Sequence, residues 1–391
     1  MKFIARRFDT GKPCEITLAD GRIAAIHAPS AETNETPLWI APGFVDIQVN
    51  GYGGQEFSSA SLTVDAVERI ASDYAAGGVT RFCPTLTTNS TEALAHGMRT
   101  IAAACRGSAH LARQVAGIHL EGPYLSREDG PRGAHPAEHC QPPDWDHFAR
   151  LQDAAEGRIT LLTLSPEYDE APTFIRRAVA AGVCVSLGHL SATGDQIRAA
   201  VDAGARLSTH LGNGAHRMLR RHPNYLWDQL AEDRLWASLI VDGQHLPPEV
   251  VKTFVRAKGP ERLVLVSDLS GLAGLPPGRY GSSGCELEIL IDGRLVIAGQ
   301  DQLLAGASRT IATGVANIMQ FAGLDLPTAI GLATAQPCRL LGLDAVRLQP
   351  GDPADLVLFE LHDGRLDIRA TLLAGRTIYG TAPSSGVASA R

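Results

Sequence analysis

Apolar residues along this chain fall into two kinds of pattern. From about residue 43 to residue 268 they come in continuous runs: GFVDIQVNG (43–51), GVTRFCPTL (78–86), QVAGIHLEG (114–122), RITLLTLSP (158–166), GVCVSLGH (182–189), ARLSTHLG (205–212), LWASLIVDG (235–243) and RLVLVSD (262–268). Stretches of helical character lie between them, such as the Ala-rich segment 91–105 and GDQIRAAVDAG at 194–204. Strands buried on both faces read as unbroken apolar runs, and strand-then-helix alternation predicts a parallel sheet. Eight such runs are the number that closes a barrel. The two chain ends differ: residues 2–28 read as short strands around Asp20-Gly21, and 355–380 alternate β-formers around Asp363-Gly364, the dipeptide of tight hairpins. Neither end is large enough to fold alone. The expected fold is therefore α/β: a (β/α)8 TIM barrel over 42–345, with a small β-sandwich domain built from 1–41 and 346–391.

Length and charge narrow the class. The 391 residues suit a barrel plus something smaller, and a formal charge of -7 with no Lys/Arg cluster argues against nucleic acid as a partner. The N-terminus MKFIARRFDT has no apolar stretch after its basic residues, and no uninterrupted apolar segment is long enough to span a bilayer. A cytoplasmic enzyme without a membrane partner is expected. Seven cysteines, at 14, 83, 105, 140, 184, 285 and 338, form no Cys-x-x-Cys pair and read as reduced, mostly buried thiols.

The chemistry sits where the runs stop. GIHLEGPYL carries Glu121, CVSLGHLSATG carries His189, RLSTHLGNG carries His210 and RLVLVSDLSG carries Asp268. In a (β/α)8 barrel the reacting groups occupy the C-terminal ends of different strands. Imidazole nitrogen and carboxylate oxygen bind Zn2+ and similar ions, and catalytic sites keep three protein ligands with one position open, a description that Glu121, His189 and His210 meet. A single histidine is by default a hydrogen-bonded core or surface residue, but three such groups at strand ends favour a metal site. Asp268 reads as a general base in preference to a helix cap, and His135, in RGAHPAEH, could polarise a carbonyl oxygen. A metal-free lyase or isomerase would call for a Schiff-base lysine, and the lysines at 2, 12, 252 and 258 end no candidate strand.

Taken in order, PGFVDIQVNGYGG, GIHLEGPYLS, SLGHLSATGDQ, STHLGNGAH, VSD and LAGAS resemble the N-acetylglucosamine-6-phosphate deacetylases of the amidohydrolase superfamily over about residues 41–345. PGDPADLVLF and the end strands resemble that superfamily's small β domain. The resemblance implies a metal-dependent hydrolase of amino-sugar catabolism that removes acetate from the sugar amide as a homodimer. Its metal ligands fall on Glu121, His189 and His210, and its catalytic aspartate on Asp268. Many amidohydrolases hold a second ion with a His-x-His pair after the first strand, where this chain has Gln48 and Asn50. Amides are poor ligands beside imidazole, so one divalent ion per subunit is expected, with Zn2+ foremost and Fe2+, Co2+ or Mn2+ open.

Substrate contacts implied by the resemblance fall on Ala134 and His135, Asn213 and Gly214, Asp242 and His245, and Leu304, Ala305 and Gly306. The phosphate arginine falls near Arg221, beside Arg220 and His222, in a loop at 212–234 that departs from the common family pattern. Forked guanidinium donors suit a phosphate. The expected reaction is amide hydrolysis, in which Asp268 takes the water proton and later protonates the amine while His135 helps to stabilise the oxyanion. Deacetylation of N-acetylgalactosamine-6-phosphate or of an unphosphorylated sugar is the nearest alternative, and a non-catalytic sugar-binding barrel is another.

Overall fold

The chain opens with four strands, β1 (Lys2–Arg7), β2 (Pro13–Ala19), β3 (Arg22–His27) and β4 (Leu38–Pro42), in a computed structural model that describes residues 1–29, 36–282, 285–299, 304 and 306–382. β5 (Phe44–Val49) follows almost without a break, then the short pair β6 (Gly51–Tyr52) and β7 (Gln55–Glu56). Next come β8 (Val79–Thr87), β9 (Ile118–Glu121), β10 (Ile159–Leu164), β11 (Cys184–Leu187), β12 (Leu207–Ser208), β13 (Trp236–Ile240) and β14 (Leu263–Val266). A three-stranded antiparallel sheet, β15 (Gly278–Ser282), β16 (Cys285–Ile289) and β17 (Leu295–Ile297), precedes the last strands β18 (Leu356–His362), β19 (Arg365–Leu373) and β20 (Arg376–Gly380).

The eight strands expected from the apolar runs form one sheet in chain order from β5 and β8 through to β14, parallel at every step. The ring closes at the seam of its first and last members, where Asp268 N donates to Gln48 O at 3.0 Å and Val49 bridges Leu269 in parallel. Inside lies a cluster that includes Val45, Ile47, Cys83, Leu161, Leu207, Val264 and Val266. Outside, residues alternating with these pack on the helices, as Ile118 and Leu120 of β9 do with Phe148 and Leu151. The fold is the (β/α)8 barrel with a small β domain drawn from both chain termini.

Local chemistry sets the helices between strands. Thr63, Ser90, Asp144 and Asn224 each accept a backbone N–H at a helix start, and Thr193 with Gln196 forms a reciprocal capping box on the helix that follows His189. That box fixes where the chain leaves the barrel mouth after the SATGDQ segment.

The end sheet has the order β20-β19-β18-β4-β1-β2-β3. Residues from strands near both ends of that order, Ile23 of β3 and Ala370 and Leu372 of β19, share one apolar cluster with Phe3, Ile16, Ile40 and Leu358, so the sheet curls over its own core. Its hairpins turn where Asp-Gly predicts: Asp20 and Gly21 have φ of 51° and 74°, Asp363 and Gly364 49° and 73°. The sheet β15–β17 had no counterpart in the sequence reading. Its tip nevertheless carries the same signal, Asp292-Gly293, with Leu290 N donating to Arg294 O at 2.8 Å. No helix among the described residues is long and apolar enough to cross a membrane.

Candidate metal centre and active site

Glu121 is the last residue of β9, His189 and His210 each stand two residues past the ends of β11 and β12, and Asp268 two past the end of β14. All four therefore gather at one mouth of the barrel. His189, His210 and Asp268 have φ of 51°, 29° and 52°, the left-handed region that non-glycine residues rarely adopt. Such conformations persist only where the surrounding structure over-determines them, and they cluster at functional sites.

Three donor atoms converge. Glu121 Oε1 lies 3.2 Å from His189 Nε2 and 3.1 Å from His210 Nε2, and the two Nε2 atoms are 3.0 Å apart. All three residues are buried. His189 Nδ1 is 2.8 Å from Pro131 O, which can only accept, so the proton is on Nδ1 and the Nε2 lone pair faces its neighbours. Lone pairs crowded in this way repel unless a cation lies between them. Donors sharing one ion at about 2.1 Å in a tetrahedral array sit roughly 3.4 Å apart, close to the separations seen. The residues present fit one divalent ion.

Burial works to raise Glu121, but the two imidazoles beside it outweigh it and hold the carboxylate well below its usual range. Burial pulls His210 down, yet Glu121 more than offsets it and its pKa rises. Asp268 is pushed up to about 6, by burial first and by the Glu121 charge second. A carboxyl in that range is mostly ionised at neutral pH and still able to carry a proton.

Gln48 and Asn50 hold these acids. Gln48 Nε2 donates to Glu121 Oε1 at 3.1 Å, and Asn50 Nδ2 donates to Asp268 Oδ1 at 2.8 Å. His135 reaches the cluster from its loop, with Nε2 3.3 Å from His189 Nε2, and burial lowers its pKa to about 3, so it is neutral at physiological pH. Its Nδ1 is buried without a partner among the described residues. Ala134 beside it is exposed.

The other expected contacts divide. Asn213 and Gly214 line a small cleft with His189, and a Cβ on Gly214 would come within 2.7 Å of His189 Nδ1, so only glycine fits against the ring. Asp242 accepts the N–H groups of Gln244 and His245 at 2.8 and 2.9 Å and the His245 Nδ1–H at 2.8 Å, which fixes the His245 ring against it. Gly306 packs on Ser270, and Leu304 bridges Val296, which places this strip beside the segment that follows Asp268. Ala305 lies outside the described residues. Arg221 is exposed with Arg220 and His222, farther along the loop that carries His210, Asn213 and Gly214, and no hydrogen bond or ion pair among the described residues joins it to the cluster.

Sequence reasoning passed over a layer beneath the cluster. His119, 1 % exposed, has Nε2 2.7 Å from Thr163 Oγ1, which in turn is 2.7 Å from Thr209 Oγ1. Strand periodicity was the available signal, since His119 shares a face with Glu121 two residues on.

The amidohydrolase family pattern matches residues 39–387. This chain belongs to the amidohydrolase family. As an amidohydrolase it is a member of a metal-dependent group, in keeping with the Glu121, His189 and His210 cluster. It is 35 % identical to the N-acetylglucosamine-6-phosphate deacetylase of Bos taurus over 351 residues, 87 % of this chain and 83 % of that one. To the N-acetylgalactosamine-6-phosphate deacetylase of Escherichia coli O157:H7 it is 31 % identical over 363 residues, covering 92 % and 94 %. Among solved structures, the N-acetyl-D-glucosamine-6-phosphate deacetylase of Mycobacterium smegmatis superposes with a TM-score of 0.84 at 34 % identity, covering 94 % of this amidohydrolase and 96 % of that chain.

Proposed function

We propose that this amidohydrolase removes acetate from N-acetylglucosamine-6-phosphate, giving glucosamine-6-phosphate, with Asp268 as the catalytic acid and base. One observation carries the reading: Glu121, His189 and His210 converge at the barrel mouth while Asp268 stands beside them with a raised pKa. Named relatives at 35 % identity add the substrate class.

In this reading Glu121, His189 and His210 hold one divalent ion, Zn2+ first, which supplies a Lewis acid and lowers the pKa of water from about 15.7 towards about 7. Asn50 occupies one oxygen of Asp268, leaving the other to take the proton of the attacking water. Asp268 returns that proton to the departing amine, so that amide and water become acetate and amine. Neutral His135 stands where it can donate to the oxygen that gains charge, a kind of contact whose loss costs about 3 kcal/mol in other enzymes. Ala134, Asn213, Gly214, Asp242, His245 and the 304–306 strip bind the sugar, and Arg221 takes the phosphate. A cytoplasmic homodimer belongs to the same proposal; for the dimer, the support is the exposed Met218 and Trp227, 89 % and 52 % accessible, on either side of Arg221 in sequence. So does a barrel spanning 42–345, supported by the change from end sheet to barrel between Pro42 and Phe44.

N-acetylgalactosamine-6-phosphate is the second reading, favoured by the relative whose match covers 94 % of its own length. Acetate release from both phosphorylated sugars and from plain N-acetylglucosamine, before and after metal removal, tests the proposal. Metal-dependent turnover fastest on N-acetylglucosamine-6-phosphate is expected. Faster turnover of the galactose isomer would replace the substrate, and turnover of only the plain sugar would remove the phosphate role of Arg221.

A further inference from the structure

Asp46 is a fully buried acid in β5, two residues before Gln48, and it touches none of the metal-site side chains by hydrogen bond. Both of its oxygens lie 3.2 Å from Ser267 N, whose N–H they accept. Oδ1 also accepts the Gln48 N–H at 3.3 Å, and Oδ2 accepts the Tyr74 hydroxyl. Tyr74 ends the helix Val64–Tyr74 and is 1 % exposed, and its hydroxyl lies 3.0 Å from Ser267 Oγ. Ser267 Oγ accepts the Leu269 N–H at 3.3 Å. Thus the Asp46 carboxylate holds the backbone just before Asp268, and the Ser267 hydroxyl, which the Tyr74 phenol touches, holds the backbone just after it.

The location explains the need. At the seam between β5 and β14 the backbone pairing begins only at Asp268 N to Gln48 O, and the pairing of β5 with β8 slips between Asp46 and Val49. The Ser267 N–H therefore has no strand partner and would be a buried donor left unmade, at a cost of about 1–3 kcal/mol. A side-chain carboxylate stands in for the missing strand. The residue it anchors directly precedes Asp268, whose φ of 52° has to be held in place by its surroundings. Burial raises the Asp46 pKa to about 6, so an acid here is costly, and solubility or helix capping gives no reason to keep one.

We propose that Asp46, backed by Tyr74, is a positioning residue for Asp268, acting through the Ser267 amide across the seam of the barrel. The idea rests on the role of Asp268 in the proposed deacetylation. The variants are Asp46→Leu, Asp46→Asn and Tyr74→Phe in the full-length, metal-loaded protein. Steady-state deacetylation is read per metal-loaded chain, together with hydrogen exchange of the segment 263–269.

Misplacing a reacting group by about 1 Å can cost roughly 100-fold. Asp46→Leu is expected to lower kcat by about 10- to 100-fold with KM within about twofold and metal content unchanged, and to speed exchange at 263–269. Asp46→Asn keeps an acceptor for Ser267 and should recover most of that loss. Tyr74→Phe, the milder change should Asp46→Leu not fold, should lower kcat by about three- to tenfold. A kcat within twofold of the parent in Tyr74→Phe, and in Asp46→Leu where it folds, with exchange at 263–269 unchanged, overturns the inference. A parent that releases no acetate counts against the deacetylase reading instead, and the exchange result alone then decides whether the seam is held by Asp46.

Discussion

The end sheet and the barrel mouth both contain non-glycine residues with positive φ, and the two use them differently. In the end sheet they are Asp20, Asp363 and Ala374, each followed by a glycine at a two-residue turn. Aspartate tolerates this region, so at Asp20 and Asp363 the conformation is local and nearly free of cost, while Ala374 donates its N–H to Asp355 Oδ1 at 2.7 Å. At the mouth they are His189, His210 and Asp268, each followed by a leucine and not by the glycine that completes a tight turn. There the conformation is held from a distance: His189 by Pro131 O, His210 by Ser238 Oγ, which accepts the His210 N–H at 2.7 Å, and Asp268 by Gln48 O and Asn50. The lesson is that one sheet spends its odd backbone positions on turning and the other on aiming side chains.

That contrast can be broken by experiment, starting where the effect is largest. Asp268→Asn keeps the shape and the Asn50 contact region but removes the base, so turnover should fall by about 10²- to 10⁴-fold with metal content intact, measured by acetate release and elemental analysis. Normal turnover would take Asp268 out of the chemistry. Replacing His189 with Ala should instead remove metal and activity together, and full metal occupancy in that variant would refute the ligand assignment.

A smaller effect is expected at Gln48, the support of Glu121. Gln48→Leu should weaken metal affinity by about 10- to 100-fold, as loss of an outer partner does elsewhere, and a competition titration with a chelator would show it. Asp268 also sets a pH limit. As a base it must be deprotonated, and burial raises it to about 6, so kcat should fall roughly tenfold per unit of pH below that midpoint and level off above it. A bound cation can only draw the midpoint lower, so an acid limb centred above pH 7 would contradict the assignment.

The smallest effect belongs to the end sheet. Gly21 has φ of 74°, and a Cβ there would sit 3.2 Å from Ala374 O. Gly21→Ala should lower stability by about 1 kcal/mol in denaturant unfolding and leave kcat unchanged. A matching loss of kcat would mean that the two regions are coupled and that the contrast drawn between them is false.

The same contrast explains what could be read from the sequence. Each barrel strand falls within one of the apolar runs, except that β8 goes one residue past its end, because burial on both faces writes itself into consecutive residues. Asp20-Gly21 and Asp363-Gly364 were legible because a turn needs only its own two residues. Glu121, His189, His210 and Asp268 stood out by ending such runs. Asp46, Tyr74 and Ser267 did not, since they come together from β5, a helix end and the residue after β14, and no local pattern marks that meeting. The sheet β15–β17 was missed although Asp292-Gly293 was present, for its strands are short and mixed in polarity. Arg221 was singled out by type and resemblance, and its place on an exposed loop gives it no partner in the cluster to confirm against.

The most direct test of the central claim is a titration of metal-free protein with Zn2+, read as acetate released from N-acetylglucosamine-6-phosphate. Activity absent at the start, rising in proportion and levelling at one equivalent per chain is the outcome predicted by a single ion on Glu121, His189 and His210 with Gln48 and Asn50 binding none. Turnover undiminished without metal, or a plateau only at two equivalents, would contradict it.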